Sequence, residues 1–136
     1  MARFNTSVGL EDFIQDLSAI DVEYVAPHAL EQSAPIVERR LKENASKHRR
    51  TGAMEKSIRS KKPTKKKGRF ELFVGPQGTD KRGVRNMEKM AYLEYGVKKH
   101  KQSPTPVITP TVQECRDKVC NKMQETFDRY LNQLGL

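Results

Sequence analysis

The sequence predicts an α+β fold, a small antiparallel sheet packed against helices, with a long C-terminal helix and an extended basic hairpin. Three patterns predict it. Apolar residues recur every three or four positions towards both ends of the chain, the period of a helix face. Between them, residues 69–75 (Arg-Phe-Glu-Leu-Phe-Val-Gly) alternate as a strand does. Charge is also segregated. Residues 47–101 hold 18 Lys+Arg against 5 Asp+Glu, whereas the flanks hold 8 against 12, so a block of net +13 lies between arms of net −4 in a chain of +9.

Leu10, Phe13, Ile14, Leu17 and Ile20 lie on one stripe, so residues 9–21 read as a short amphipathic helix. Glu11 and Asp12 suit the positive end of its dipole. A second helix is predicted over 27–47 from Leu30, Ala34, Val37, Leu41 and Ala45, with Pro27 at its first position. Pro35 removes a backbone donor within this stripe. The stripe continues past it, which favours one bent helix. Gly52 then permits a left-handed corner after Thr51. Residues 57–61 read as a strand with Ile58 inward. Residues 56–62 are expected to pair antiparallel with 69–75, where Phe70, Leu72 and Val74 share one face and Glu71 and Phe73 the other. The connection is Lys61-Lys62-Pro63-Thr64-Lys65-Lys66-Lys67-Gly68-Arg69, which reads as a long, exposed hairpin tip. Asn86 is suited to cap a short helix with Met87, Met90, Ala91 and Tyr95, the alternative being a third strand at 91–95; Gly96 ends the element either way. Residues 97–108 form an extended arm containing Pro104 and Pro106. Thr109 is read as the cap of the last helix and Pro110 as its first residue. Its stripe runs through Val112, Cys115, Val119, Met123, Phe127, Tyr130, Leu131 and Leu134 to Gly135. The expected organisation is one domain over 1–136: N-terminal helix and linker 1–26; bent helix, basic sheet region and arm 27–109; C-terminal helix 110–135.

The chemistry-bearing residues do not assemble into an enzyme site. His28, His48 and His100 are dispersed, and Cys115 and Cys120 lack zinc-ligand spacing. Five residues apart on a helix, those thiols lie about 140° apart around the axis, so they cannot pair, and two free thiols suit a reducing compartment. No phosphate-cradling glycine loop and no nucleophile elbow is present. The first residues lack the apolar core of a leader peptide, and no run is long enough to span a membrane. Glu94 is the carboxylate that stands out. As a general base it has no titratable companion, and an ion pair with Arg49, Arg50 or Arg59 is the better reading. The lysine-rich segment, with Lys98, Lys99 and Lys101, fits phosphates or an acidic protein face. The bland reading is a solvated loop. With no aromatic interleaved, base stacking is not indicated. No enzyme, cofactor or metal is expected.

Three segments in order carry a resemblance: Arg50-Thr51-Gly52-Ala53-Met54-Glu55-Lys56-Ser57-Ile58, then Ala91-Tyr92-Leu93-Glu94-Tyr95-Gly96, then Pro104-Thr105-Pro106-Val107-Ile108-Thr109-Pro110 before the last helix. Over roughly residues 28–130 the chain resembles the tail-component family of long-tailed bacteriophages. Met54 stands where that family has Leu, Val97 where it has Thr, and Val107 where it has an aromatic; an Ala-Pro pair before the corner is missing. The resemblance implies a structural virion protein that completes the tail or joins it to the head. It implies a homo-oligomeric ring, commonly a hexamer, around the DNA channel, with neighbouring neck, connector or tail-tube proteins as partners. Its place would be the virion neck or tail, after assembly in the host cytoplasm. Thr51, Gly52, Ser57, Ile58, Glu94, Tyr95, Gly96, Pro106 and Pro110 would then be structural. The hairpin (Lys61, Lys62, Lys65, Lys66, Lys67, Arg69) and the arm (Lys98, Lys99, Lys101) would be adhesive, ordering on docking, with sequence-blind proximity to DNA. The alternative is a small basic nucleic-acid-binding protein without enzymatic activity.

Overall fold

Long apolar stripes pair most economically as antiparallel helices, and two such helices frame the protein. The computed structural model describes residues 17–48 and 52–136. Helix α1 spans Val22–Ser46, preceded by a helical turn at 17–19. The rest of the predicted N-terminal helix lies outside the described residues. α1 is one continuous helix with Pro27 and Pro35 both inside it. It begins five residues before the expected start at Pro27. The N–H of Asp21, its N-cap, donates to the Tyr130 hydroxyl at 2.7 Å, and packing along the final helix carries the chain across both prolines.

Gly52, at φ 78° and ψ 0°, takes the left-handed corner expected of it and opens a four-residue helix, α2 (Ala53–Lys56). Thr51, Arg49 and Arg50 lie outside the described residues. After α2 comes an antiparallel ribbon in two parts. At its base β1 (Ile58–Ser60) pairs with β4 (Val74–Pro76), Ile58 opposite Pro76 and Ser60 opposite Val74. At its tip β2 (Thr64–Lys66) pairs with β3 (Arg69–Glu71), Thr64 opposite Glu71 and Lys66 opposite Arg69. The register slips by one residue between the parts, and the surplus falls on the strand that carries Pro63, which cannot donate to a ladder. The hairpin expected around Lys61 to Arg69 is present, and its pairing reaches further than expected. Lys65 and Lys66 lie on β2, Lys61 and Lys62 lie between β1 and β2, and the turn is only Lys67-Gly68. Both turn residues have positive φ, 49° and 76°, the conformation of a two-residue type I′ turn. As predicted, Phe70, Leu72 and Val74 are half-buried while Glu71 and Phe73 are exposed.

The loop after β4 leads into α3 (Asn86–Tyr95), so the helical alternative holds over the strand. Asn86 is its first residue, with Arg85 at the N-cap. The Asn86 amide turns back to donate to the Gln77 carbonyl at 2.9 Å, so it pins the loop instead of capping the helix. A 3₁₀ turn, Lys98–His100, and an extended strap then lead to α4 (Ile108–Gln133). α4 starts two residues earlier than Pro110. It packs antiparallel on α1: Asn44 Nδ2 donates to Thr111 Oγ1 at 2.8 Å at one end, and Tyr24 packs on Tyr130 at the other. Thr111 and Thr126 are buried in the seam, whereas Val112 and Leu134 of the predicted stripe are exposed.

Leu41 and Ala45 of α1, Ile58 of β1, Met90 of α3 and Val107 before α4 form the core, with Met54, Val74, Leu93 and Ile108 packed around it. The four α-helices and the two base strands all contribute, so the helices and the base of the ribbon meet at one core.

Candidate functional site

Where α3 approaches the start of α4, a buried carboxylate meets a helix N-terminus. The first turn of a helix leaves backbone N–H groups without intrahelical partners. Here Val107 N and Ile108 N each donate to Glu94 Oε2 at 2.8 Å, and Thr109 N donates to Oε1 at 3.2 Å. Pro110 has no N–H to satisfy. Thr111 N then makes the first bond within the helix, to the Val107 carbonyl. Thr109 Oγ1 also donates to Glu94 Oε1. One side chain therefore accounts for the whole first turn, and its charge faces the positive end of the macrodipole. Burial alone would push the carboxyl up in pKa; these hydrogen bonds outweigh it and hold Glu94 below its ordinary value. The expected partner Arg59 is not among its contacts, and Arg49 and Arg50 lie outside the described residues. The prediction that Thr109 caps its own helix is corrected by the same geometry: its N–H is one of the donors being capped.

Gly96 closes the junction. At φ 75° and ψ 174° it occupies backbone space that favours glycine, and a Cβ there would lie 2.7 Å from the Gln102 carbonyl and 3.0 Å from Pro104 N. The strap can therefore double back over the end of α3. It is held by paired bonds between Val97 and Gln102 and by Thr105 N donating to the Leu93 carbonyl at 2.7 Å. Lys98, Lys99 and Lys101 stand exposed on this small loop, and Pro106 is exposed beside it. Val107 is fully buried and fills part of the core.

A second carboxylate shapes the preceding loop. Asp80 Oδ1 accepts the N–H groups of Arg82 and Val84, and Oδ2 pairs with Lys89 Nζ at 2.6 Å. The Lys89 ammonium, with help from the Val84 and Arg82 amides, holds the Asp80 pKa at about 2.

The predicted motif residues thus separate into two roles. Gly52, Ser57, Ile58, Glu94, Gly96 and Pro110 build the junction, Ser57 by donating to the Met54 carbonyl at 2.6 Å and Ile58 by complete burial. Tyr95 does not join them. It is 77% exposed, and Tyr92 and Met87 are exposed on the same helix. Met87 and Tyr92 had not been singled out as surface residues; their placement five and three residues apart along the chain from Met87 to Tyr95 was legible only once α3 was known to be a helix. Asn44 and Thr111, also missed, are polar residues within apolar stripes, a signal that points to a buried polar pair.

The ribbon sorts its cations by face. Lys65 pairs with Glu23 of α1 and lies over the Phe70 ring, and Lys61 lies over Phe73, each 5.5 Å from the ring centroid. The ring contacts lie within the ribbon, and the Lys65–Glu23 pair ties it to α1. Lys62, Lys66, Lys67 and Arg69 are exposed and form no ion pair among the described residues. The tip, expected to order only on docking, is already a folded hairpin.

Among the described residues no group of three or more His, Cys, Asp or Glu could hold a metal ion, and no helix is long and apolar enough to cross a membrane. Cys115 is buried and Cys120 exposed, both as free thiols; burial pushes the Cys115 pKa up, away from reactivity. A family model described as "Bacteriophage HK97-gp10, putative tail-component" matches residues 9–96, more than half of the chain. The match takes in the Gly52 corner and Glu94-Tyr95-Gly96 and ends where the strap begins. No curated protein and no solved structure matches the chain.

Proposed function

The chain belongs to the HK97-gp10-like family of bacteriophage tail components, and from that premise we propose that it is a structural protein of the head–tail neck. In this reading it completes the tail or joins it to the head as a subunit of a ring, commonly a hexamer, around the DNA channel. Its other partners are the adjoining connector or tail-tube proteins. The ring forms in the host cytoplasm and stays in the virion.

One observation supports assembly over chemistry. The buried Glu94 carboxylate is taken up in holding the start of α4, while Met87, Tyr92 and Tyr95 lie exposed on α3. Tyrosine and methionine are enriched where proteins meet, and exposed rings on a rigid helix suit a neighbour's surface. A copy of the chain placed head-to-tail against this face repeats the contact until the ring closes.

The test is a phage lysate made without this protein. Filled heads and finished tails that remain separate, and that join when the purified protein is added, are the expected result. Normal virions, or an arrest before capsids form, would count against a neck role.

A further inference from the structure

We propose that the tip of the ribbon is a sequence-independent contact for the phosphate backbone of duplex DNA, made by Lys66, Lys67 and Arg69 with Lys62 beside them. The inference deepens the neck reading and rests on it for the presence of DNA.

Two local features of the tip work against its own folding. Lys66 lies directly opposite Arg69 in the ladder, where side chains are about 5 Å apart and like charges repel. Lys67 takes the first place of a type I′ turn at φ 49°, where asparagine or glycine is the ordinary choice. Neither is offset within the described residues. The nearest cations show what an offset looks like, for Lys65 has Glu23 and Lys61 has the Phe73 ring. A row of cations a few ångströms apart on a paired ribbon, in no ion pair among the described residues, matches a row of phosphates.

The composition of the tip selects between polyanions. Protein interfaces are organised around buried apolar or aromatic anchors. Lys62, Thr64, Lys66, Lys67, Gly68, Arg69 and Glu71 are exposed at the tip, and Phe70 is turned inward under Lys65. No aromatic or apolar anchor is offered outward. The same absence removes base stacking and leaves phosphate contact, which positions a duplex without reading its sequence.

The test uses the full-length protein and fluorescently labelled duplexes of unrelated sequence, with affinity measured across a salt series. The comparison is a triple variant, Lys66→Gln, Lys67→Asn and Arg69→Gln. Wild-type affinity should fall with salt equally for every duplex. The variant should bind more weakly at low salt and lose about 3 from the log–log salt slope, at roughly 0.9 per phosphate contact. It should also melt at or above the wild-type temperature, because the like-charge pair and the ill-suited turn residue are gone. An unchanged slope overturns the proposal. So does a variant that binds DNA normally but no longer docks on purified connector or tail tube, which would assign the tip to an acidic protein face. Light scattering on the same samples separates the two readings. A ring whose DNA affinity ignores the tip overturns the contact alone; a monomer that binds DNA through the tip supports the contact and overturns the ring.

Discussion

Protonating Glu94 would leave three backbone donors of α4 facing a neutral acid, with one of its oxygens now a donor itself. Its folded pKa lies below the ordinary carboxylate value, so it stabilises the fold above that value. The contribution is lost as pH falls from the ordinary carboxylate range through the folded pKa. Asp80 acts with the same sign, between about 4 and its folded value of about 2. Both therefore favour the fold at neutral pH and release it on acidification. Glu94→Ala should cost roughly 2–4 kcal/mol, since it orphans donors near the core. Glu94→Gln should cost roughly 1–3 kcal/mol, since it keeps an acceptor but loses the charge at the dipole. Denaturant unfolding from neutral to acid pH checks both, and the acid-side loss of stability should be shallower in Glu94→Gln than in the wild type. Stability that falls equally steeply in the two would show that Glu94 is not the group titrating. That a charged side chain here is structural was legible in the sequence. Its partner was not, because a carboxylate among many arginines is indistinguishable, residue by residue, from one aimed at a helix end 13 positions away.

Elements join through the strap that runs from Gly96 to Val107, and its geometry makes a sharp prediction. Gly96→Ala places a Cβ against Gln102 and Pro104 backbone, and nothing there is the flexible end of a side chain. The substitution should cost roughly 1–3 kcal/mol and free the strap. Limited proteolysis should then cut near Lys98, Lys99 and Lys101 faster than in the wild type, while far-ultraviolet circular dichroism stays close to unchanged. Unaltered cleavage would mean the strap does not depend on that turn. The elements themselves were readable where a period was long. α1, α4 and the 69–75 face follow their stripes, because burial on one side imposes the spacing. Boundaries were less readable. α1 and α4 both begin earlier than their own residues suggest, because Tyr130 and Glu94 cap them from elsewhere in the fold. The lysine segment reads as a hairpin tip because charge, proline and glycine dominate its composition; that Lys65 and Lys66 themselves pair depends on the Lys67-Gly68 turn and the slip at Pro63.

At the scale of the whole molecule, a small core joins the four helices and the ribbon base, and two of the outward surfaces bear on function. Tyrosines and methionine on α3 suit a protein neighbour; cations on the ribbon and strap suit a polyanion. In the proposed ring, each subunit would present one surface to its neighbour and the other to what the ring meets. Membership of a phage tail-component family is the context in which such a subunit makes sense. The most direct measurement is the mass of the purified full-length protein by light scattering, with the same sample viewed in negative stain. The neck reading predicts closed rings, with a mass near six copies of the 15.6 kDa chain, that dissociate when Tyr92 and Tyr95 are both changed to Glu. A monomer or dimer at every concentration, unaltered by those substitutions, would contradict it.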